Sequence, residues 1–339
     1  MGAVFPTRLV VDLPNWVGDQ VMTVPAVHRL VQANAGGETT LHVRPPMLRF
    51  FELIFPGARV AASHPKEFPV LVAYRLCRDG GRFELGITLR HAYRAKIMLR
   101  VAARRTLGSG GEGALMLLSE RYTVDRGRHQ VFDADPLLDA LELDPVEPQW
   151  RACVPPSLID EGSRELERLG VPFDLAIGLA PAAAWGESKR WPADRYGELT
   201  RRLLDRGLRP VVVIGPGEEE LAAALCSSSG VDLPVIGAEL DVAGLAGVLA
   251  RLAVLVCNDS GPMHVAAMVG TPVVALFGPT DPQRTGPLGD RHVVVSLKLE
   301  CAPCGEPVCP LGHTACLRDL EVETVERKVL EIVEGGPRS

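Results

Sequence analysis

Short runs of aliphatic residues alternate with longer amphipathic segments along most of this chain. The first run spans residues 8–13, and a helix is expected over about 19–31. This alternation is typical of βαβ units, in which parallel strands carry helices on the faces of the sheet. The nearly continuous Val, Ile and Leu of the later runs indicates strands that are covered on both faces. The sequence therefore predicts an α/β fold with Rossmann-like, doubly wound parallel sheets.

Two series of such units are predicted, with a proline-rich linker over 144–157 between them. The first series adds strands at 40–43, 59–61 and 85–89, and helices around 47–54 and 93–103. The second has strands at 175–181, 209–215, 233–237, 253–259 and 271–278, and helices at about 194–206, 218–227, 242–251 and 262–269. A chain of 339 residues has room for two such domains, which we place at 1–150 and 158–339.

Composition and charge exclude several classes of protein. The net charge of −6 argues against a nucleic-acid-binding protein, whose surface would be basic. No run of eighteen apolar residues occurs, and the first sixteen residues lack the pattern of a secretory signal. We therefore expect a cytoplasmic protein whose eight cysteines are reduced, catalytic or bound to metal.

The turn after the first strand contains Gly18 and Asp19, at the carboxyl edge where open α/β folds bind ligands. Gly18 allows a ligand to approach the backbone closely, and the carboxylate of Asp19 could accept a proton from a substrate hydroxyl. Asp is also a common N-cap residue, so a purely structural role for Asp19 has equal weight.

Two segments of the second half point to a phosphate-bearing ligand. Lys189 lies just before a predicted helix start, where the ammonium, the free N–H groups and the helix dipole all favour an anion. Asp259 follows a buried strand, and Ser260, Gly261 and His264 open a helix of small residues whose first N–H groups could bind a diphosphate. A solvated lysine and a half-buried structural histidine are the alternatives.

A third loop of the second half, 211–221, ends a strand with Gly-Pro-Gly and begins a helix with three glutamates. An acidic residue beyond a Rossmann strand often binds the ribose hydroxyls of a nucleotide, and Glu219 is the candidate. Acidic residues in a first helical turn also interact favourably with the helix dipole without any ligand.

Three segments, at 17–30, 184–192 and 258–282, resemble the signatures of glycosyltransferase family nine in order and separation. The first has the P-x-W-V-G-D form of the ADP-heptose:lipopolysaccharide heptosyltransferases of type II. The resemblance implies a GT-B fold of two Rossmann-like domains facing a cleft. It also implies inverting transfer of heptose from ADP-L-glycero-D-manno-heptose to the lipopolysaccharide inner core, with no metal required for catalysis.

Carried over by position, the resemblance makes Asp19 the general base and Gly18 part of the acceptor site. Lys189 would contact the donor phosphate and Asp259 the donor sugar. The pyrophosphate loop corresponds to Ser260, Gly261 and His264, and the ribose acid to Glu219. The chain departs from some relatives at Ala184 and Trp185 and in its Gly-Pro-Gly turn, which bears on the choice of Glu219 over Glu218. A transferase or epimerase for another nucleotide sugar, and a catalytically silent binding module, are the alternatives.

Six Lys and Arg residues and no acidic residue occur in segment 90–105 of this otherwise acidic chain. The implied acceptor is an anionic, lipid-linked core oligosaccharide at the inner face of the inner membrane. We therefore expect Arg94 and Lys96 to guide docking of that acceptor and peripheral contact with the membrane. A solvated basic helix is the alternative.

Four cysteines, Cys301, Cys304, Cys309 and Cys316, lie close together in a segment of 300–317 that has few apolar residues. Four thiolates could bind a structural zinc ion, although this spacing is not one of the standard pairs of knuckles. A redox-labile cluster and reduced, packed thiols are the alternatives.

Overall fold

The computed structural model describes residues 5–111, 114–147, 151–152, 154–172 and 175–335. The chain divides into two compact units, Met1–Trp150 and Arg151–Ser339, where the sequence predicted domains 1–150 and 158–339. Part of the predicted linker, at 148–150 and 153, lies outside the described residues.

The first unit contains a parallel sheet of six strands in the order β3-β2-β1-β4-β5-β6. Its strands are β1 Arg8–Asp12, β2 Glu38–Val43, β3 Arg59–Ala62, β4 Phe83–Thr88, β5 Ala103–Ser109 and β6 Glu120–Tyr122. Its helices are α1 Val17–Ala33, α2 Leu48–Ile54, α3 Pro69–Cys77, α4 Tyr93–Ala102, α5 Ala114–Leu117 and α6 Asp135–Ala140, with 3₁₀ turns at Pro45–Met47 and Gln130–Ala134.

The second unit repeats this topology, with a parallel sheet in the order β12-β11-β10-β7-β8-β9. Its strands are β7 Ala176–Ala180, β8 Arg209–Val213, β9 Val235–Ile236, β10 Val254–Asn258, β11 Val273–Phe277 and β12 Val293–Ser296. Its helices are α7 Pro156–Arg168, α8 Ala193–Asp205, α9 Glu219–Ser229, α10 Val242–Leu249, α11 Gly261–Val269, α12 Pro282–Thr285, α13 Ala315–Arg318 and α14 Val322–Gly335, with a 3₁₀ turn at Glu187–Lys189.

Both sheets have the doubly wound strand order, so the predicted α/β fold is confirmed. Such a sheet reverses its winding direction between its first and fourth strands and leaves a crevice at their carboxyl ends. In the first unit this point lies between β1 and β4, and in the second between β7 and β10. The segments predicted to carry chemistry follow β1, β7, β8 and β10.

The helix predicted at 93–103 corresponds to α4, but the end of segment 90–105 forms a strand that the sequence did not predict. Helix α4 ends at Ala102, and the chain continues directly into β5, which pairs with β4 from Phe83 opposite Ala103. In β5 the adjacent Arg104 and Arg105 are both exposed and residues 106–109 are all buried, so the strand lacks the two-residue alternation by which a sequence reveals a half-buried strand.

Lys96 requires a correction, because its side chain is completely buried. Because the Lys96 ammonium is buried in the protein, it cannot contact a lipid surface, and the docking role predicted for Lys96 is wrong. Arg94, on the exposed side of the same helix, donates hydrogen bonds to the carbonyl oxygens of Lys66 and Glu67, at 3.3 and 2.7 Å. Of the two predicted docking residues, only Arg94 lies at the surface.

Every helix in the part of the chain that the structure describes is too short or too polar to span a lipid bilayer.

Candidate active site

A cavity of about 230 Å³ lies at the carboxyl edge of the first sheet. Asp19, in the first turn of α1, lines it and accepts a hydrogen bond from the side-chain amide of Gln130 at 3.0 Å. The other polar side chains along its wall include those of Asn15, Thr23, Arg90, His91 and Asp133. The cavity therefore offers a carboxylate and several hydrogen-bonding groups to a polar ligand.

The capping alternative for Asp19 does not fit its position. The N-cap residue of α1 is Trp16, which makes no side-chain cap hydrogen bond, and Asp19 lies three residues further into the helix. Gly18 lies in the same turn. The Asp19 carboxylate is thus near the positive end of the helix dipole, beside the cavity and hydrogen-bonded to Gln130, which lies 111 residues away in sequence.

A buried ionic network lies beside this cavity at the ends of β1, β2 and β4. Asp12 accepts hydrogen bonds from Arg90 Nε at 2.7 Å and Thr88 Oγ1 at 3.0 Å. The imidazole of His42 joins Asp12 through Nδ1, at 2.7 Å, to Ser63 through Nε2, at 2.8 Å. Arg90 also lines the cavity, and its bond to Asp12 therefore fixes the position of a guanidinium in the cavity wall.

The charge of this network shifts the titration of Asp12. Complete burial by itself would raise its pKa, but the Arg90 guanidinium and the hydrogen bond with His42 outweigh burial and lower the pKa to about 2. A folded-state pKa below the ordinary value of 3.8 stabilises the protein above that value, and the contribution is lost as the pH falls towards 2.

We expect the free energy of unfolding to fall by about 2 kcal/mol between pH values of about 4 and 2 on account of Asp12 alone. Equilibrium unfolding in urea across this range measures it. Asp12→Asn should lower stability at neutral pH, since it leaves Arg90 without its buried counter-charge, and should flatten the acid slope. An unchanged slope in Asp12→Asn would show that other carboxylates cause the acid sensitivity.

In the second unit, three polar side chains that follow neighbouring strands contact one another at the carboxyl edge of the sheet. Lys189, beyond β7, forms an ion pair with Asp259, beyond β10, with 2.6 Å between Nζ and Oδ2. Thr280, beyond β11, donates a hydrogen bond to the same Oδ2 at 2.7 Å. The side chains of Lys189 and Asp259 are 12% and 5% exposed, so little water screens the pair. The Lys189 ammonium also lies 4.8 Å from the ring centre of Trp185.

Helix α11 begins beside this ion pair. Ser260 is its N-cap residue, but its hydroxyl donates to the Asn258 carbonyl at 3.2 Å and makes no cap hydrogen bond. Gly261 is the first helical residue, and His264 lies on the buried side of the helix. Asn258 is itself occupied, because its side chain bonds Pro181 O and the Trp191 N–H. The first turn of α11 thus lacks a side-chain cap and has a lysine nearby, as an anion site requires.

The two candidate glutamates beyond β8 have different partners. Glu218 accepts a hydrogen bond from the Gly215 N–H at 2.7 Å and closes the turn. Glu219, the first residue of α9, accepts a longer bond of 3.2 Å from the Gly217 N–H. The assignment of ribose binding to Glu219 stays a prediction, and the structural role of Glu218 favours that choice over its neighbour.

The loop that carries Lys189 is hydrogen-bonded to the cysteine-rich segment 300–317. Ser188 is buried, its hydroxyl donates to Glu306 O at 2.6 Å, and its N–H donates to Pro307 O at 3.2 Å. A Cβ atom on Gly186 would lie 2.3 Å from Pro307 O, so the backbones touch there. The segment thereby supports the residue that precedes Lys189.

We expect Ser188→Ala to weaken binding of a phosphate-bearing donor about fivefold to tenfold, because one buried hydrogen bond contributes about 1 kcal/mol. Isothermal titration with ADP measures the effect. Thr271→Val is the matched control, since Thr271 also donates at 2.6 Å to a distant carbonyl, that of Leu249, and belongs to neither the Lys189 loop nor the cysteine-rich segment. Equal weakening in both variants would mean that Ser188 acts on general stability only.

The thiols of segment 300–317 differ in exposure. Cys316 is buried, Cys304 is exposed, and Cys301 and Cys309 are intermediate. Burial raises the pKa of Cys316, and the other three thiols raise it further by their charge, so the four are near one another. Backbone N–H groups, chiefly that of Thr314, lower the pKa of Cys309. In the described ranges, no three His, Cys, Asp or Glu side chains are grouped so as to hold a metal ion.

Several residues of these sites were absent from the sequence-based candidates, namely Asp12, Gln130, Thr280, Ser188 and Arg90 as a cavity residue. Gln130 opens a 3₁₀ turn and Thr280 lies in the loop after β11, and only the packing of the strand ends brings them to Asp19 and Asp259. Asp12 could have been identified as a candidate from the sequence, because it is a charged residue at the end of a predicted buried strand.

Comparison with known proteins identifies the family. The model of glycosyltransferase family 9 (heptosyltransferase) matches residues 75–315. Lipopolysaccharide heptosyltransferase 2 of Salmonella typhimurium is 28% identical over 317 residues, covering 86% of this chain and 88% of that protein.

Two solved structures share the fold over nearly their whole length. A family 9 glycosyltransferase from Veillonella parvula superposes with a TM-score of 0.86 at 20% identity, over 99% of this chain and 100% of that one. The ADP-heptose lipopolysaccharide heptosyltransferase II of Escherichia coli gives 0.78 at 22% identity, over 97% and 99%. The family match spans well over half of the chain, and both units have the Rossmann-like topology of the GT-B fold. This chain is therefore a member of glycosyltransferase family 9, the heptosyltransferase family.

Proposed function

We propose that this enzyme transfers a heptose, with inversion, from ADP-L-glycero-D-manno-heptose to the inner core of lipopolysaccharide. The buried pair of Lys189 and Asp259, beside the start of α11, is the observation that carries the proposal. A cation beside the N-terminus of a helix suits a diphosphate, and a carboxylate suits sugar hydroxyls, and both features support the proposal. The relatives of this chain are named for transfer of heptose to lipopolysaccharide.

Asp19 acts as the general base in this proposal. Its carboxylate takes the proton from an acceptor hydroxyl while that oxygen attacks the anomeric carbon of the donor, and the bond to ADP breaks on the opposite face. Gln130 orients the carboxylate by its hydrogen bond. The cavity beside Asp19 is the acceptor site, and the fixed guanidinium of Arg90 gives it affinity for an anionic sugar.

The departing diphosphate gains negative charge as the bond breaks. Lys189 and the N–H groups of the first turn of α11 stabilise that charge, with Ser260, Gly261 and His264 forming the turn. Asp259, whose carboxylate accepts a hydrogen bond from Thr280, holds the ammonium of Lys189 until the donor binds. These groups perform the electrostatic work by themselves, so we propose that catalysis requires no metal ion. Glu219 would bind the ribose of ADP.

Binding of a panel of ADP-, UDP- and GDP-sugars tests the donor. We expect ADP-heptose to bind more tightly than ADP-glucose, UDP-glucose or GDP-mannose. Tightest binding of a UDP-sugar would favour the alternative, a GT-B transferase or epimerase for another nucleotide. Donor binding without transfer to any core oligosaccharide would favour the catalytically silent binding module.

For the cysteine-rich segment we propose a structural zinc ion held by Cys301, Cys304, Cys309 and Cys316. The proposal is supported by the proximity of the other thiols to buried Cys316. Because the thiols are not grouped for coordination as they stand, the segment would have to close around the ion. We expect one zinc per chain in protein purified without a His-tag or chelator, and a lower melting temperature after chelation. Substoichiometric zinc with unchanged melting would leave the cysteines as packing residues.

We further propose that the enzyme works as a peripheral protein at the inner face of the inner membrane, where its lipid-linked acceptor is located.

A further inference from the structure

Helix α3 exposes large apolar side chains to water. Phe68, Leu71 and Tyr74 are 67%, 63% and 69% exposed. Leu71 and Tyr74 lie on one face of α3, and Phe68, the N-cap residue of this helix, precedes them by the same spacing of three residues. We call these three residues the α3 face. Clustered exposure of this kind marks an interaction site more often than scattered apolar residues do.

The opposite side of α3 already supplies its contribution to the protein core. Val72, Ala73 and Leu76 are buried and pack in one cluster with residues of α4, such as Met98 and Leu99. The helix is therefore apolar on two sides, of which the fold uses one. The residues of the α3 face are exposed and do not belong to that core cluster.

The stretch of sequence that contains the α3 face is strongly basic. Residues 59–105 contain eleven Lys and Arg but only three Asp and Glu, in a chain whose net charge is −6. Arg75 and Arg78 lie one helical turn from Leu71 and Tyr74, and both are exposed. They pair with Glu67 and Asp79 at the surface, where such pairs are weak and leave the cations available to another anion.

Helix α3 also lies close to the proposed acceptor cavity. Arg90 lines both that cavity and a smaller one, whose wall includes Pro69 and Val72 of α3. Ala92 lines the acceptor cavity, and the next residue, Tyr93, is 46% exposed at the start of α4. An acceptor sugar attached to a lipid would therefore reach the cavity while its lipid stayed near this surface.

We propose that the α3 face, with Arg75 and Arg78, docks on the surface of an anionic lipid bilayer. Aromatic and aliphatic side chains enter the boundary between headgroups and acyl chains, and arginines bind the phosphates around them. This docking rests on the proposed function for its purpose, which is to hold the cavity at the depth of a lipid-linked acceptor. A second copy of the chain would satisfy the apolar residues but would not use the local positive charge.

Co-sedimentation with vesicles tests the docking. We expect the wild-type protein to bind vesicles of phosphatidylcholine with phosphatidylglycerol, and binding to weaken with salt and on pure phosphatidylcholine. The double variant Leu71→Ser/Tyr74→Ser should lose about tenfold or more in partitioning, because it removes two apolar side chains. Arg78→Glu should lose about tenfold on the anionic vesicles only.

Leu311→Ser is the matched control, since Leu311 is 61% exposed but belongs to the second unit. Equal vesicle binding by wild type and the double variant would overturn the proposal. So would a dimer in sedimentation that the double variant dissociates without a change in vesicle binding.

Transfer to a delipidated core oligosaccharide separates this proposal from the proposed function. The double variant should retain wild-type turnover on that acceptor and lose it on acceptor embedded in vesicles. Vesicle binding by a wild-type protein that transfers heptose to no acceptor would refute the proposed function and leave the docking surface in place. Transfer of heptose by a protein that does not bind anionic vesicles would refute the docking surface and leave the proposed function in place.

Discussion

Asp19→Asn should lower kcat by about 10²–10⁴-fold, which is the usual contribution of general-base assistance. Asparagine keeps the size of the side chain and its ability to bond Gln130, but it cannot accept a proton. The affinity for ADP should be unchanged, since Asp19 belongs to the first unit and the proposed phosphate site to the second. Steady-state kinetics with ADP-heptose and a core acceptor, together with titration of ADP, measures both effects.

Two companion variants sharpen this result. Gln130→Ala removes one hydrogen bond from the carboxylate, so we expect a fall of about tenfold or less. Asp139→Asn, an exposed position on α6 of the same unit, should leave kcat unchanged. Turnover within a few-fold of wild type for Asp19→Asn would remove this residue from the mechanism.

Lys189→Met should lower kcat by about 10²–10³-fold, the cost of losing one group that stabilises the charge of a transition state. Methionine keeps the length and apolar contacts of the side chain but removes the ammonium that would meet the leaving diphosphate. It also leaves Asp259 without its cation, and an anion next to an unpaired carboxylate is repelled. ADP affinity should therefore fall as well.

Asp259→Asn is the informative comparison for Lys189. It frees the ammonium from its buried partner, so ADP alone should bind as well as to wild type or better, whereas kcat/KM for the ADP-sugar should fall. Parallel loss of ADP affinity in both variants would show that the pair is structural and that the phosphates bind elsewhere.

Sequence reasoning predicted the fold class and the strand ends that carry Asp19, Lys189 and Asp259, because these depend on local patterns. Runs of Val, Ile and Leu mark buried parallel strands, and helix starts with small or charged residues follow them. It was wrong about Lys96, because alternating charge and apolarity on a helix does not reveal which cation lies inward. It also missed β5, where consecutive basic residues resembled the helix before it.

Local sequence patterns are thus enough to predict the order of βαβ units, and with it the edge of each sheet where ligands bind. The partners that meet at that edge are known only from the folded structure. Asp12 with Arg90, Asp19 with Gln130, and Ser188 with Glu306 are 78, 111 and 118 residues apart in the chain. Such pairs leave no periodic trace, because their geometry arises only when the strand ends and loops pack, and that packing depends on the whole core.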